Sequence, residues 1–180
     1  MGWFLGRNLI LLAVLIALPF AFGDFWAYQL GLYFLYAIAA LGVGICWGQA
    51  GFLPLGQAMF IGIGAYLSGF ALINFPYSWW LFLLLPAAAL VPGLLAFTIG
   101  LFVFRGRIES GPYFALITLA LSLLTFQVAT NWVDVTGGFN GLGNIPGLPG
   151  VDGFETLYYI IAFALTVSIA VVAWLIKSPI

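Results

Sequence analysis

Two glutamines, Gln49 and Gln57, bracket Gly51, Pro54 and Gly56, and three hydroxyls, Thr118, Ser122 and Thr125, recur at i, i+4 and i+7. At that spacing the hydroxyls share one helical face. Amides and hydroxyls offer neutral hydrogen-bonding chemistry: they can hold a polar solute without trapping it as a fixed charge would. The hydroxyl stripe has a second use, since it can bond a neighbouring helix or the carbonyls of its own. Phe114, Leu121, Leu124 and Val128 supply bulk on the rest of that helix.

The same inventory removes other chemistries. The chain has no histidine, which excludes histidine-ligated haem, histidine-containing zinc sites and histidine-based triads. Its one cysteine, Cys46, cannot form an internal disulfide. There is no P-loop, no metal-ligand spacing and no basic patch, so no cofactor, no nucleic acid and no intrinsic ATP hydrolysis are implied. An enzyme here would have to rely on Ser68, Ser122 or Cys46 without a recognisable base, and the chain is read as non-enzymatic.

The elements that position these groups are set by nine charges: Arg7, Asp24, Arg105, Arg107, Glu109, Asp134, Asp152, Glu155 and Lys177. They punctuate long apolar tracts. Only 5% of the 180 residues are charged and 65% are hydrophobic, with a mean hydropathy of +1.22, against about 25% charged in a soluble domain. Water cannot be the solvent for most of this surface. The fold class is therefore all-α, a polytopic transmembrane bundle.

Short loops rich in Lys and Arg stay cytoplasmic, so Arg7, Arg105, Arg107 and Lys177 are placed inside. With about 20 residues per crossing, the spans fall at 8–27, 28–47, 52–73, 79–104, 113–131 and 156–176. Six crossings satisfy every constraint and leave both ends cytoplasmic. Arg7, the run from Leu9 to Leu18 and Ala21-Phe22-Gly23 also have the outline of a signal peptide. Apolar and aromatic residues continue through Phe25, Trp26 and Tyr28, however, so this segment is read as an uncleaved first span.

Two stretches break the pattern. Gly48-Gln49-Ala50-Gly51-Phe52-Leu53-Pro54-Leu55-Gly56-Gln57 fits either a broken or re-entrant segment lining a cavity, near 48–57, or an ordinary interfacial turn. Most of the glycines from Gly42 to Gly69 are read as sites of close helix packing. Residues 132–155 form an outward loop. Glycine and proline from Val135 to Gly150 exclude helix there, and the embedded Phe139, Leu142, Ile145 and Leu148 argue that the loop packs onto something.

Three blocks resemble a known family, the LivM-type permease subunits of branched-chain amino acid ABC transporters and the closely related urea permeases. They are Gly48 to Gly51 continuing through Leu55-Gly56-Gln57-Ala58-Met59-Phe60 to Gly64-Ala65-Tyr66; Arg107-Ile108 through Pro112-Tyr113-Phe114-Ala115 to Thr118-Leu119-Ala120; and Thr136-Gly137-Gly138-Phe139-Asn140-Gly141 followed by Ile145-Pro146. They run in the family's order and spacing from about residue 37 to residue 146. The resemblance departs at Pro54, where serine is common, at Gln57, where histidine is frequent, and at Glu109-Ser110-Gly111-Pro112, which replaces a compact glycine link.

The resemblance implies a permease half of the bacterial inner membrane. Its partners would be a second permease subunit, two cytoplasmic ATPase subunits and a periplasmic or lipid-anchored solute-binding protein. Gln49, Gln57, Thr118 and Ser122 are the expected substrate-path residues. Thr136, Gly137, Gly138, Asn140 and Gly141 are the expected docking loop for the binding protein. Residues 1–180 then form a single permease domain, and its ending at Ser178-Pro179-Ile180 resembles an N-terminal fragment of a longer permease. A urea or sugar-type ABC permease and a non-transporting membrane anchor stand as alternatives.

Overall fold

The computed structural model describes residues 17, 19, 23–105, 111–151 and 153–178. From residue 24 onward the described residues form six α-helices: α1 (Asp24–Ala50), α2 (Gln57–Asn74), α3 (Leu81–Arg105), α4 (Gly111–Asn131), the single turn α5 (Val133–Thr136) and α6 (Phe154–Lys177). A 3₁₀ turn, Gly138–Asn140, lies after α5. Helix is what lipid demands of these tracts, because without water every backbone N–H and C=O must be satisfied within its own segment. Five of the helices, α1, α2, α3, α4 and α6, are long and apolar enough to cross a membrane. They match the expected crossings from 28 onward. The first expected span, 8–27, lies largely outside the described residues, as do Arg7, Arg107, Glu109 and Asp152.

One boundary moves. The second span was expected to stop at Trp47, but α1 runs on to Ala50, so Gly48 and Gln49 are helical and the break is confined to Gly51 through Gly56. The reason is local. Gly51 adopts a left-handed backbone (φ 72°) that ends the helix at no steric cost, and the Phe52 N–H closes the end on the Cys46 carbonyl at 3.2 Å. Of the two readings of 48–57, a broken or re-entrant segment or an interfacial turn, what forms is a short non-helical link between two spans.

The packing divides into two compact units, Met1–Gly42 with Gly150–Ile180, and Val43–Pro149. In the first, the opening half of α1 lies along the opening half of α6. Gly31 faces the Ile161 side chain, Tyr28 meets Phe154 edge-on at 5.6 Å, and the buried Tyr158 packs against Phe34 at 5.4 Å. Start meets start, so the two helices run in the same direction, as the charge-derived topology requires of these two crossings.

In the second unit, α2 packs chiefly against α3 and also against α4. Gly64 allows α2 to approach α3 so closely that a Cβ there would stand 3.3 Å from the Ala88 carbonyl oxygen. That carbonyl is four residues before Pro92, which lies inside α3 and has no N–H to offer it. Few side chains are buried; in this unit they include Met59, Ala71, Leu81, Ala88 and Val103. A large apolar exterior is expected of a helix bundle solvated by lipid.

The loop expected to face outward also departs from expectation. Val133–Thr136 closes a helical turn and Gly138–Asn140 a 3₁₀ turn, where glycine and proline density predicted no helix from Val135. Thr136 is the cause. Its buried hydroxyl donates to the carbonyls of Ala129 and Trp132, the latter at 2.8 Å, and accepts the Gly138 N–H at 3.2 Å. A local side-chain bond of this kind can outweigh composition.

Candidate functional site

Three pieces of the second unit converge on a cavity of about 470 Å³. One face of α2 supplies Met59, Gly62, Ile63 and Tyr66, spaced as a single helical stripe. One face of α4 supplies Ser122, Leu123, Thr125, Phe126, Ala129 and Thr130, and the turn from Gly138 to Gly141 forms a third wall. The helices run parallel here, since the start of α2 meets Thr118 and its middle meets residues 122–130. The volume falls within the range of about 300–1,000 Å³ usual for small-molecule sites.

The lining is uncharged. Met59, Ile63, Leu123 and Phe126 are apolar, while Tyr66, Ser122, Thr125, Thr130 and Asn140 carry hydrogen-bonding groups. Two of those hydroxyls are already committed. Thr125 donates to the Leu121 carbonyl at 2.8 Å, and Thr130 donates to Phe126 at 3.0 Å. Both keep lone pairs to offer. Among the described residues the polar groups of Tyr66, Ser122 and Asn140 make no hydrogen bond within the chain, and no buried polar side-chain atom lacks a partner. Those three residues line the cavity with hydrogen-bonding capacity not spent within the described chain.

The expected path residues separate into three places. Ser122 lines the cavity. Thr118, one turn earlier on the same face, is buried; its hydroxyl hydrogen is shared between the Phe114 and Ala115 carbonyls at 2.9 and 3.0 Å, and its oxygen accepts the Leu55 N–H at 3.1 Å. Its polar capacity is used in fastening the link to α4. Gln49, exposed in the last turn of α1, and Gln57, half-buried at the first position of α2, flank the link and do not line the cavity.

The link docks closely. At Gly56 a Cβ would lie 2.5 Å from the Thr118 carbonyl oxygen, a distance no side chain tolerates, so only glycine fits. Phe52 adds a ring contact with Phe114 at 5.5 Å.

The expected docking loop divides by exposure. Thr136 and Gly138 are buried, Gly137 and Gly141 are half-buried, and Asn140 is exposed beside Phe139, which is 88% exposed. Gly137 is held where a Cβ would strike the Gly141 carbonyl. The buried part of the motif is thus spent on the shape of the turn, which leaves Phe139 and Asn140 exposed. Gly138, Asn140 and Gly141 also line the cavity, so the loop forms one of its walls.

Sequence reasoning missed Tyr66, Thr130 and Met59. A signal existed for α2: Met59, Gly62, Ile63 and Tyr66 recur at i, i+3, i+4 and i+7, the mark of one helical face. What it could not say was that this face meets Ser122.

A profile of the family described as branched-chain amino acid transport system / permease component matches residues 26–180. The high-affinity branched-chain amino acid transport system permease protein LivM of Salmonella typhimurium (strain LT2) is 34% identical over 145 residues, covering 81% of this chain and 33% of the relative. LivM of Escherichia coli (strain K12) is 35% identical over 145 residues with the same coverage. The chain spans about a third of the length of these relatives. No solved structure matches. With the profile matching residues 26–180 and so reaching into all five membrane-length helices, the chain belongs to the branched-chain amino acid transport permease family.

Proposed function

We propose that this chain supplies one wall of the substrate path in an ABC importer for branched-chain amino acids, in the bacterial inner membrane. The observation that carries the reading is the uncharged cavity between α2 and α4. A branched aliphatic side chain fits against Met59, Ile63, Leu123 and Phe126. The ammonium and carboxylate of a zwitterion meet Tyr66, Ser122 and Asn140, which hydrogen-bond them without a fixed countercharge. Weak neutral contacts suit passage, because a solute must leave the site as readily as it enters.

Energy comes from partners. Two cytoplasmic ATPase subunits and a second permease subunit complete the importer, and a solute-binding protein delivers substrate. Phe139 and Asn140 are the contact points of the outward loop, on a turn whose shape Thr136, Gly137, Gly138 and Gly141 maintain. Gln49 and Gln57, flanking the link at the cytoplasmic ends of α1 and α2, stand near the path's inner mouth, and both ends of the chain face the cytoplasm.

The test is uptake of radiolabelled leucine by the complete transporter carrying Ser122→Phe, which fills the cavity. Uptake falls while the ATPase and second permease still copurify. Unchanged uptake removes the cavity from the path, and competition by urea or ribose instead of leucine replaces the substrate.

A further inference from the structure

The outward loop is fastened to both walls of the cavity, by bonds of different kinds. On the α4 side the Thr136 hydroxyl ties the loop to Ala129 and Trp132 and receives the Gly138 N–H. On the α2 side the fastening is apolar. Leu142 and Ile145 reach across to Gly69, where a Cβ would stand 3.1 Å from the Leu142 Cδ1 and 3.3 Å from the Ile145 Cδ1. Between the two fastenings the turn from Gly138 to Gly141 lines the cavity. Among the described residues no hydrogen bond ties residues 142–149 to the helices.

We propose that Leu142 and Ile145, seated on Gly69, form a releasable clasp that positions the loop across the mouth of the path, and that the clasp must open for solute to pass. A loop that bridges α2 and α4 fixes their separation, so the cavity widens only if one end lets go. The Thr136 end cannot release without stranding a buried hydroxyl and the Gly138 N–H, a cost of about 1–3 kcal/mol for each unsatisfied group. The Gly69 end strands nothing polar. It loses only contact between side-chain tips and a glycine, and lipid or a docked partner replaces that contact. The bare backbone at Gly69 is what lets the two tips seat, and a longer side chain there would displace them. Phe139, exposed on the same turn, gives a docked partner a lever on the clasp.

This inference rests on the permease reading. It is tested in the complete transporter with Cys46→Ser and every other cysteine replaced, carrying Gly69→Cys with Leu142→Cys. Under reducing conditions the pair transports. Oxidation to the disulfide is expected to take uptake to background, and dithiothreitol to restore it. Equal uptake in the oxidised and reduced forms overturns the clasp and leaves the permease reading standing. An assembled reduced form without transport turns the test to Gly69→Leu in a Ser122→Cys background. There the displaced clasp makes the Ser122→Cys thiol react several-fold faster with a membrane-impermeant maleimide, and an unchanged rate overturns the proposal. Absence of leucine uptake by the unmodified complete transporter would instead strike the permease reading.

Discussion

The Leu55 N–H donates to the Thr118 hydroxyl at 3.1 Å, joining residues 63 positions apart and fastening the non-helical link to the middle of a membrane helix. Thr118→Val keeps the shape and removes the acceptor, leaving a part-buried N–H unsatisfied at a cost of about 1–3 kcal/mol. The expected outcome is a lower thermal midpoint for the purified transporter, with Thr118→Ser close to the parent. Equal midpoints for valine and parent would show that water reaches Leu55.

Gly56→Ala is expected to destabilise by about 1–3 kcal/mol through overpacking, since its Cβ would press on the Thr118 carbonyl. Gly44→Ala meets nothing within 4 Å and should gain up to about 1 kcal/mol from helix propensity. Denaturation of the two variants in one detergent separates close approach from flexibility as the reason for these glycines.

Ser122→Ala and Tyr66→Phe each remove one unspent hydrogen-bonding group from the cavity while preserving its volume. A single such bond is worth about 0.5–1.5 kcal/mol, so leucine KM is expected to rise roughly two- to tenfold with transporter abundance unchanged. Kinetics of uptake in vesicles would read this directly, and an unaltered KM for both would sink the assignment.

Thr136→Val strands the Gly138 N–H and frees the turn from α4. Binding-protein affinity is expected to weaken even though Thr136 is buried, because Phe139 and Asn140 lose their placement. Phe139→Ala should weaken binding with no change in stability. A pull-down with the soluble binding protein, alongside a melting curve, distinguishes the two routes.

Reporter fusions after Leu148 are expected to read outward and those after Arg105 cytoplasmic. The parallel pairing of α1 with α6, and of α2 with α4, agrees with an alternating path through the membrane. A cytoplasmic signal near residue 148 would invert the topology.

The sequence by itself determined the solvent, the helices and the family. Nine charges among apolar tracts leave lipid as the medium, and lipid leaves helix as the backbone's solution. Motifs with Thr136-Gly137-Gly138 and Gly56-Gln57-Ala58 in order carried the resemblance. Local composition misjudged the end of α1 and the turn at Thr136, because a left-handed glycine and a capping hydroxyl act through geometry that residue counting averages away.

Only the tertiary structure decided what the hydroxyl stripe does. Thr118 and Ser122 are one turn apart on one face and identical in kind, yet one is sealed under Leu55 and the other opens onto the cavity. Their difference comes from what α2 and its link place opposite them: a glycine close enough to bury the first, then Met59, Ile63 and Tyr66 standing far enough off to leave space at the second. Spacing along a chain specifies a face. Whether that face becomes contact or cavity depends on the distance to another segment, which at Thr118 is set by Gly56, whose missing Cβ lets the link press against the Thr118 carbonyl.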